Sequence, residues 1–386
     1  MLPTGVSIGA PADRPPIAEP EQDTMRAAVL PQIPSMLEVT DIQVDTPGPR
    51  EVLVRTIAAG LCHSDLHFME GKYTCGTPTV PGHEAAGIVE AVGSDVTYVQ
   101  PGDHVIGCLS IFCGHCAYCL SGRPVLCTRQ GLERDPEESS RLSWHDGEPL
   151  HQFLRLSAFA EMMLVHENTL VKIREEMPLD RAALIGCAVT TGLGAVFNTA
   201  KVPPGSTVAV IGCGGVGLNS VQGAVIAGAG RVIAVDTNPW KLDLARDFGA
   251  TDLVDATAGD PVAQVRDLTA GGVEFSFEAI GLKITAEQSF AMLQNGGTAT
   301  IIGMIPEGQK IELPGSDFLD EKTIQGSNMG SNRFRVDMPR YVDLYLSGRL
   351  KLDELVSARI GLDQINDGFD AMRRGEVARS VITFEG

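Results

Sequence analysis

The sequence predicts an α/β protein of two domains, one β-rich and one built on a doubly wound parallel sheet. Three observations carry this reading. From Met25 onward, short runs of apolar and β-branched residues are cut by Gly and Pro turns, the texture of a barrel-like β structure. Near Leu179 the pattern changes to helical stretches and then to strands alternating with helices, which argues a parallel sheet. At 386 residues the chain is also too long for one ordinary core.

In chain order, residues 1–24 are rich in Pro, Ala and acidic side chains, with no basic start and no apolar stretch. They read as a flexible tail and not as a secretory signal. Strands are expected over 25–30, 37–44 and 51–58, within 81–93 and 101–107, and over 159–165. The polar, acidic stretch 128–149 reads as a surface loop. Helical stretches are expected over 179–187 and 192–198. "STVAVIGCGGVGLNSVQGAVIAGAGRVIAVD" then reads as strand, Gly-rich turn, helix and strand, and "TDLVDA", "EFSFEAIG", "GTATIIGM" and "TIQGSN" continue the alternation. A helix over 338–347 and a final strand, "SVITF", close the chain. No apolar run reaches the roughly 18 to 20 residues that span a bilayer.

Lys and Arg total 30 against 49 Asp and Glu, a formal charge of −19. A field of that sign repels phosphate backbones and anionic lipid, so neither nucleic acid nor a membrane surface is expected as a partner. Nine cysteines, four of them clustered, fit metal binding in a reducing cytoplasm better than a disulfide framework.

"GCGGVG" places Gly212, Gly214 and Gly217 in G-x-G-x-x-G spacing, with Gly215 and Val216 inside the turn. The first glycine makes a tight turn, the second lets backbone approach a pyrophosphate, and the third lets helix pack on strand. Phosphate would sit at the N–H groups of the helix N-terminus. Asp236 ends the following strand, at about the 20-residue spacing of a ribose contact. Its carboxylate would accept from both ribose hydroxyls and repel a 2′-phosphate, which favours NAD over NADP; the alternative is a strand-end cap. Lys241 is placed to reach the same ribose or to remain a solvated lysine.

Cys113, Cys116, Cys119 and Cys127 follow C-x2-C-x2-C-x7-C. Four thiolates satisfy tetrahedral zinc and leave no open position, so this is a structural site; an iron–sulfur cluster or metal-free thiols are the alternatives. Catalytic zinc instead needs three protein ligands and a vacancy. Cys62 in "GLCHSDLH", His83 in "PGHEAAG" and Cys187 in "GCAVTTG" are candidates, but their separation means that spacing alone does not make them converge. Each also fits a plain role, the cysteines as small buried residues and the histidine as a turn residue.

From Met25 to Phe384 the chain resembles the zinc-dependent medium-chain alcohol dehydrogenase family, with both metal motifs, the glycine turn and "RSVITF" in the family's order. The resemblance implies a GroES-like catalytic domain (25–188 and 329–386) wrapped on an NAD-binding Rossmann domain (189–328), with the active site in the cleft between them. It implies Cys62, His83 and Cys187 as catalytic zinc ligands, Asp65 as the carboxylate orienting the imidazole, and Glu84 as the acid behind the metal. Ser64 would contact the alcohol, with His67 at the outer end of a proton relay running through a cofactor ribose hydroxyl. His63 and Arg379 would lie near the pyrophosphate, Thr191 under the nicotinamide, and Ile280 and Ile302 along the cofactor. Leu109, Phe153, Leu154 and Met304 would form an apolar pocket for a medium-chain or aromatic primary alcohol, or else belong to the plain core.

One branch of the family oxidises thiol adducts of formaldehyde, formed with glutathione or mycothiol. The positions matching its arginine and its acidic pocket-mouth group are Gly131 and Tyr73, so free alcohols are favoured over that alternative. The long 128–149 loop resembles that of dimeric members, and a homodimer is expected. A non-catalytic zinc-ribbon module has no use for the dinucleotide motif, and a zinc-free reductase has no use for Cys62, His83 and Cys187.

Overall fold

The computed structural model describes residues 23–129, 131–135 and 138–384. The tail expected over 1–24 lies outside the described residues except at its end, where Asp23 and Thr24 already pair with Val44 and Gln43 in the first strand. The tail reading is corrected for these two: the strand's hydrogen bonds extend past the last apolar residue, Met25.

Two sheets position the site. The first has seven strands, ordered Leu170–Lys172, His104–Gly107, Glu84–Val92, Glu51–Gly60, Arg379–Thr383 and Val356–Ile360, with Met162–His166 pairing on Glu51–Gly60. The antiparallel register sets Gly60 opposite both Glu84 and Val381. Thus the end of Glu51–Gly60, the start of Glu84–Val92 and the C-terminal strand meet at one corner. Cys62, His83, Glu84 and Arg379 sit at or beside those ends. A smaller five-stranded sheet is ordered Asp23–Val29, Glu38–Val44, Leu142–Ser143, Pro149–Gln152 and Thr79–Val80. The expected loop over 128–149 is thus a loop with one short strand in it, held down by Arg134 and Arg141 on the Glu51 carboxylate.

The second sheet is six-stranded and wholly parallel, ordered Asp252–Asp255, Arg231–Asp236, Thr207–Ile211, Val273–Glu278, Leu293–Ile301 and Thr323–Gly326. Its strand order reverses between Thr207–Ile211 and Val273–Glu278. Ligands of such sheets bind in the crevice beyond the carboxyl ends of the strands at that reversal.

The two expected helical stretches are one continuous helix, Leu179–Ala200, with π-type turns at Ile185–Val189 and Ala195–Ala200. The expectation that no apolar segment is long enough to cross a bilayer is corrected here, because this 22-residue helix passes by length and composition. It is apolar because it is buried in the core, with Ala86 and Ile106 of one sheet and Val208 and Val210 of the other in the same cluster. Gly186 permits the close approach: a Cβ there would lie 2.9 Å from the Gly107 carbonyl. Pressing the helix against the first sheet in this way delivers Cys187 to the corner where Cys62 and His83 stand. The interior of the barrel-like unit closes separately around Val52, Leu61, Val89 and Phe159, whose ring meets Phe369 edge-on at 6.0 Å. Truncating either ring to Ala would cost about 3–5 kcal/mol.

Candidate active site

The donor atoms of Cys62, His83, Glu84 and Cys187 all lie within 4.8 Å of one another. Cys62 precedes the short helix His63–Met69, and its N–H donates to Asp65 Oδ2 at 3.2 Å. Asp65 Oδ1 accepts from the Gly82 N–H at 3.3 Å and lies 2.8 Å from His83 Nδ1. One fully buried carboxylate therefore ties the Cys62 turn to the His83 turn and orients the imidazole. His83 Nε2 is buried with no hydrogen-bond partner. A buried ring nitrogen left bare costs free energy unless something accepts its lone pair. Two sulfurs and one imidazole nitrogen around that atom are a donor set suited to zinc. The hydrogen bond from Cys187 to Cys62 pulls the Cys62 thiol well below its usual pKa and pushes that of Cys187 well above it, so the two sulfurs share one proton, which a metal held by both would displace.

Cys62, His83 and Cys187 line the cleft, whereas Glu84 does not. Glu84 packs behind them against Gly60, where a Cβ would meet its Oε2 at 2.4 Å, and its Oε1 lies 3.5 Å from the Arg379 guanidinium. Burial pushes its carboxyl up to about 8, against the pull of Arg379. A cation held by the three cleft-facing donors would thus keep one side open toward the cleft.

That cleft, of about 470 Å³, runs from the metal cluster to the glycine turn. Besides the three donors it is lined by His63, Ser64, His67, Leu109, Leu154, Thr191, Gly212, Gly214, Gly215, Val216, Asp236, Lys241, Ile280, Ile302, Met304 and Arg379. The glycines divide their work as expected. Gly212 has φ +91°, a left-handed conformation that L side chains avoid, and a Cβ there would strike Ile280 at 2.4 Å. A Cβ on Gly214 would meet no protein atom within 4 Å, so that face is free for a ligand. Gly217 does not line the cleft; a Cβ there would fall 1.7 Å from the Gly212 carbonyl, so it serves helix-on-turn packing. Asp236 faces the cleft and also anchors its rim, accepting from the N–H groups of Cys213 at 2.7 Å and Asn238 at 2.9 Å. The ribose contact and the strand-end cap are therefore compatible.

Arg379 is buried beside Gly215, and its Nε has no partner. An anion at the glycine turn is a natural acceptor for it. His63 lines the same stretch; burial, with Arg379 nearby, pulls its pKa down to about 4, so its ring is neutral at neutral pH. His67 is also held below its usual pKa by burial and by Lys72, and its buried Nδ1 has no partner. It is free to accept a proton at neutral pH. Ser64 Oγ is 3.7 Å from Cys62 Sγ.

One expected pocket residue moves. Phe153 is fully buried and does not line the cleft; its ring stands edge-on to Phe68 at 5.0 Å, and Phe68 takes the lining position. Thr237, Ala279, Gly303, Ser327, Asn328 and Met329 also line the cleft, though no motif in the sequence points to them. Met329 has φ +47° and sets its sulfur 3.4 Å from Thr191 Oγ1 and 3.9 Å from Cys187 Sγ. The turn-rich run "SNMGSN" signals a strained loop at that point, but nothing local aims it at the cleft.

In the four-cysteine lobe, the Sγ atoms of Cys113 and Cys119, Cys116 and Cys119, and Cys116 and Cys127 lie 3.9, 3.6 and 3.8 Å apart. Tetrahedral zinc with bonds of about 2.3 Å requires sulfurs about 3.8 Å apart. A disulfide needs about 2.05 Å. The N–H groups of Cys113, Cys116 and Arg129 point at these sulfurs, and backbone donation from Cys119 and Thr128 draws the Cys116 thiol down to about 5.

The chain matches the family described as "Alcohol dehydrogenase GroES-like domain" over residues 48–175 and that described as "Zinc-binding dehydrogenase" over 215–347. It is 40% identical over 372 residues to an "Alcohol dehydrogenase class-3" of Zea mays, covering 94% of this chain and 97% of that one. It is also 40% identical to an "S-(hydroxymethyl)glutathione dehydrogenase" of Escherichia coli, covering 93% and 99%. Among solved structures, benzyl alcohol dehydrogenase from Acinetobacter calcoaceticus superposes with a TM-score of 0.89 at 33% identity, over 94% of this chain and all (100%) of that one. By its two family domains and these relatives, the chain belongs to the zinc-dependent medium-chain alcohol dehydrogenase family and is an oxidoreductase of that class.

Proposed function

We propose that this protein is an NAD-linked alcohol dehydrogenase holding two zinc ions per chain, and that it interconverts a primary alcohol, medium-chain or aromatic, with its aldehyde. The observation that carries the reading is the meeting of Cys62, His83 and Cys187 at the cleft floor, with the bare His83 Nε2 among them and Glu84 withdrawn behind. A zinc ion there supplies Lewis acidity that acidifies an alcohol and polarises a carbonyl, and the nicotinamide supplies a two-electron acceptor. The rest falls to side chains. Ser64 takes the alcohol's proton, and neutral His67 receives it at the outer end of the relay. Leu109, Leu154, Phe68 and Met304 exclude water and hold an apolar substrate. Arg379 and the helix N–H groups after Gly214 hold the pyrophosphate, with neutral His63 beside it. Thr191 supports the nicotinamide, Ile280 and Ile302 flank the cofactor, and Asp236 selects NAD, with Lys241 on the same ribose.

A second reading is supported by the relatives at 40% identity named as S-(hydroxymethyl)glutathione dehydrogenases: oxidation of a thiol adduct of formaldehyde. Against it, an anionic adduct needs charged partners at the mouth. The two positions considered for them are Gly131, with φ +71°, and Tyr73, whose hydroxyl is already committed to the Ile305 carbonyl.

The catalytic unit over 25–188 and 329–386, the nucleotide unit over 189–328, the homodimer and the cytoplasmic location belong to the same proposal; nine free cysteines suit a reducing compartment. The test is NADH formation by zinc-loaded protein across a panel of alcohols, with and without glutathione or mycothiol plus formaldehyde. Turnover of free alcohols without thiol is the expected result. Turnover only with an adduct selects the second reading, and none with either contradicts both.

A further inference from the structure

Three consecutive residues beside the cleft, Met329, Gly330 and Ser331, have left-handed backbone, with φ of +47°, +65° and +47°. Glycine takes that conformation freely; methionine and serine take it only where surrounding contacts impose it. Most of those contacts come from the buried helix Leu179–Ala200, whose residues Cys187, Thr191, Gly194 and Asn198 share one face by their spacing. Gly330 lies flat on that face. A Cβ on Gly194 would strike its carbonyl at 2.4 Å, and a Cβ on Gly330 itself would fall 2.2 Å from the Thr190 carbonyl. Asn198 Nδ2 donates to the Gly330 carbonyl at 3.2 Å, and Thr199 Oγ1 lies 2.9 Å from Ser327 Oγ and 2.8 Å from Ser331 Oγ. Asn332, fully buried, donates through Nδ2 to the Met329 carbonyl at 2.7 Å and to Ser110 Oγ at 3.1 Å. Strain held in place by this many contacts is a mark of a placement that matters. What it places is the Met329 thioether, on the cleft wall, accepting from the Thr191 hydroxyl at 3.4 Å and standing 3.9 Å from Cys187 Sγ.

We propose that Met329 is a specificity-determining residue that confines the reaction to primary alcohols, with Asn198, Thr199 and Asn332 as the residues that position it. The inference rests on the alcohol dehydrogenase reading above and deepens it. An alcohol oxygen held among Cys62, His83 and Cys187 keeps its carbinol carbon beside those donors. A primary alcohol presents one carbon chain there, and the apolar wall of Phe68, Leu109, Leu154 and Met304 takes it. A secondary alcohol presents a second carbon branch, and the space toward Cys187 and Thr191 is filled by the thioether. Methionine side chains usually adapt to what they meet. This one is anchored at both ends, by its pinned backbone and by Thr191 at its sulfur.

Met329→Ala and Met329→Gly both clear the space, and only the second also suits a left-handed backbone. Two ratios are measured on zinc-loaded protein. One is kcat/KM for sec-butanol relative to n-butanol; the other, independent of turnover, is calorimetric binding of methyl-branched trifluoroethanol relative to trifluoroethanol itself, with NAD bound. Both are expected to rise at least about tenfold in M329A and M329G, the worth of one carbon branch in a fitted pocket. Met329→Leu keeps the bulk and should leave both within about twofold of wild type. M329G is expected to melt about 2–4 °C above M329A, because glycine relieves the backbone. Ratios that stay at wild-type values in the cleared variants overturn the specificity role and leave the alcohol dehydrogenase reading standing, and M329G decides this even where M329A fails to fold. Equal melting temperatures overturn the strained placement. Wild-type protein that turns over no free alcohol removes the functional reading and this inference with it.

Discussion

The lobe of Cys113, Cys116, Cys119 and Cys127 and the floor of the cleft both gather cysteine sulfur, but they are built differently. In the lobe, four sulfurs from one short loop sit at the spacing of a filled tetrahedron, and the backbone N–H groups of the same loop point at them. In the cleft, two sulfurs and one nitrogen come from three separate elements, and the nearest fourth donor, Glu84, is held back by Gly60 and Arg379. A local ligand set folds around its ion and closes. A dispersed set is held by a scaffold that forms regardless, and the scaffold can leave one side open. The first arrangement suits stability and the second reactivity.

The largest expected effect breaks the cleft site. Cys187→Ala should lower alcohol-dependent NADH formation by more than about a thousandfold, a loss of roughly 4 kcal/mol in transition-state stabilisation. Elemental analysis should find the lobe's zinc kept and the cleft's lost, with little change in melting temperature. Cys116→Ser reverses the pattern. The lobe's metal is lost and the melting temperature falls, at about 2–4 °C per kcal/mol, while activity per folded molecule stays within about threefold of wild type. Equal activity losses in both variants would erase the distinction between the sites. Next in size is Asp65→Asn, which leaves every direct donor in place but spoils the carboxylate that orients His83. A 10–100-fold loss of cleft-metal affinity, read by competition with a chelator, is the expected magnitude. An unchanged affinity would mean that the imidazole is oriented by packing alone.

The smallest effect concerns the loop that continues from the lobe. Burial would raise the Glu51 pKa, but the hydrogen bond from Arg134 and the charge of Arg141 more than offset it and bring the group to about 2. A folded pKa below the unfolded one contributes stability at higher pH that is lost as pH falls. Glu51→Gln should therefore lower the melting temperature by about 2–4 °C near neutrality. That gap should close as pH drops from about 4.5 to about 2. A gap that persists in acid would mean that packing, not charge, holds the loop.

How much was legible in the sequence follows the same division. The four-cysteine spacing and the glycine turn encode their own geometry, because the residues that matter are neighbours in the chain, and the lobe and the turn take the expected form. For Cys62, His83 and Cys187 the spacing was silent and only the family's motif order pointed to them. Convergence depends on a register that sets Gly60 opposite Glu84 and on Gly186 letting a helix touch the sheet. Phe153, aromatic and next to Leu154, reads as pocket lining. Which ring faces the cleft is decided by its packing on Phe68, from a distant segment. Met329 and the Tyr73–Ile305 bond were invisible for the same reason. The continuous helix Leu179–Ala200 reads as two pieces because Thr190 and Thr191 interrupt its apolar pattern, while burial holds it together.

Diffraction at the zinc edge, on crystals grown with NADH and trifluoroethanol, separates an open cleft site from a closed lobe. Anomalous peaks are expected at both clusters, with an oxygen of the alcohol completing the cleft ion's shell from the cleft side and no exogenous ligand in the lobe. Cys62, His83 and Cys187 without a shared peak, or the Glu84 carboxylate filling the fourth position with alcohol present, would contradict it.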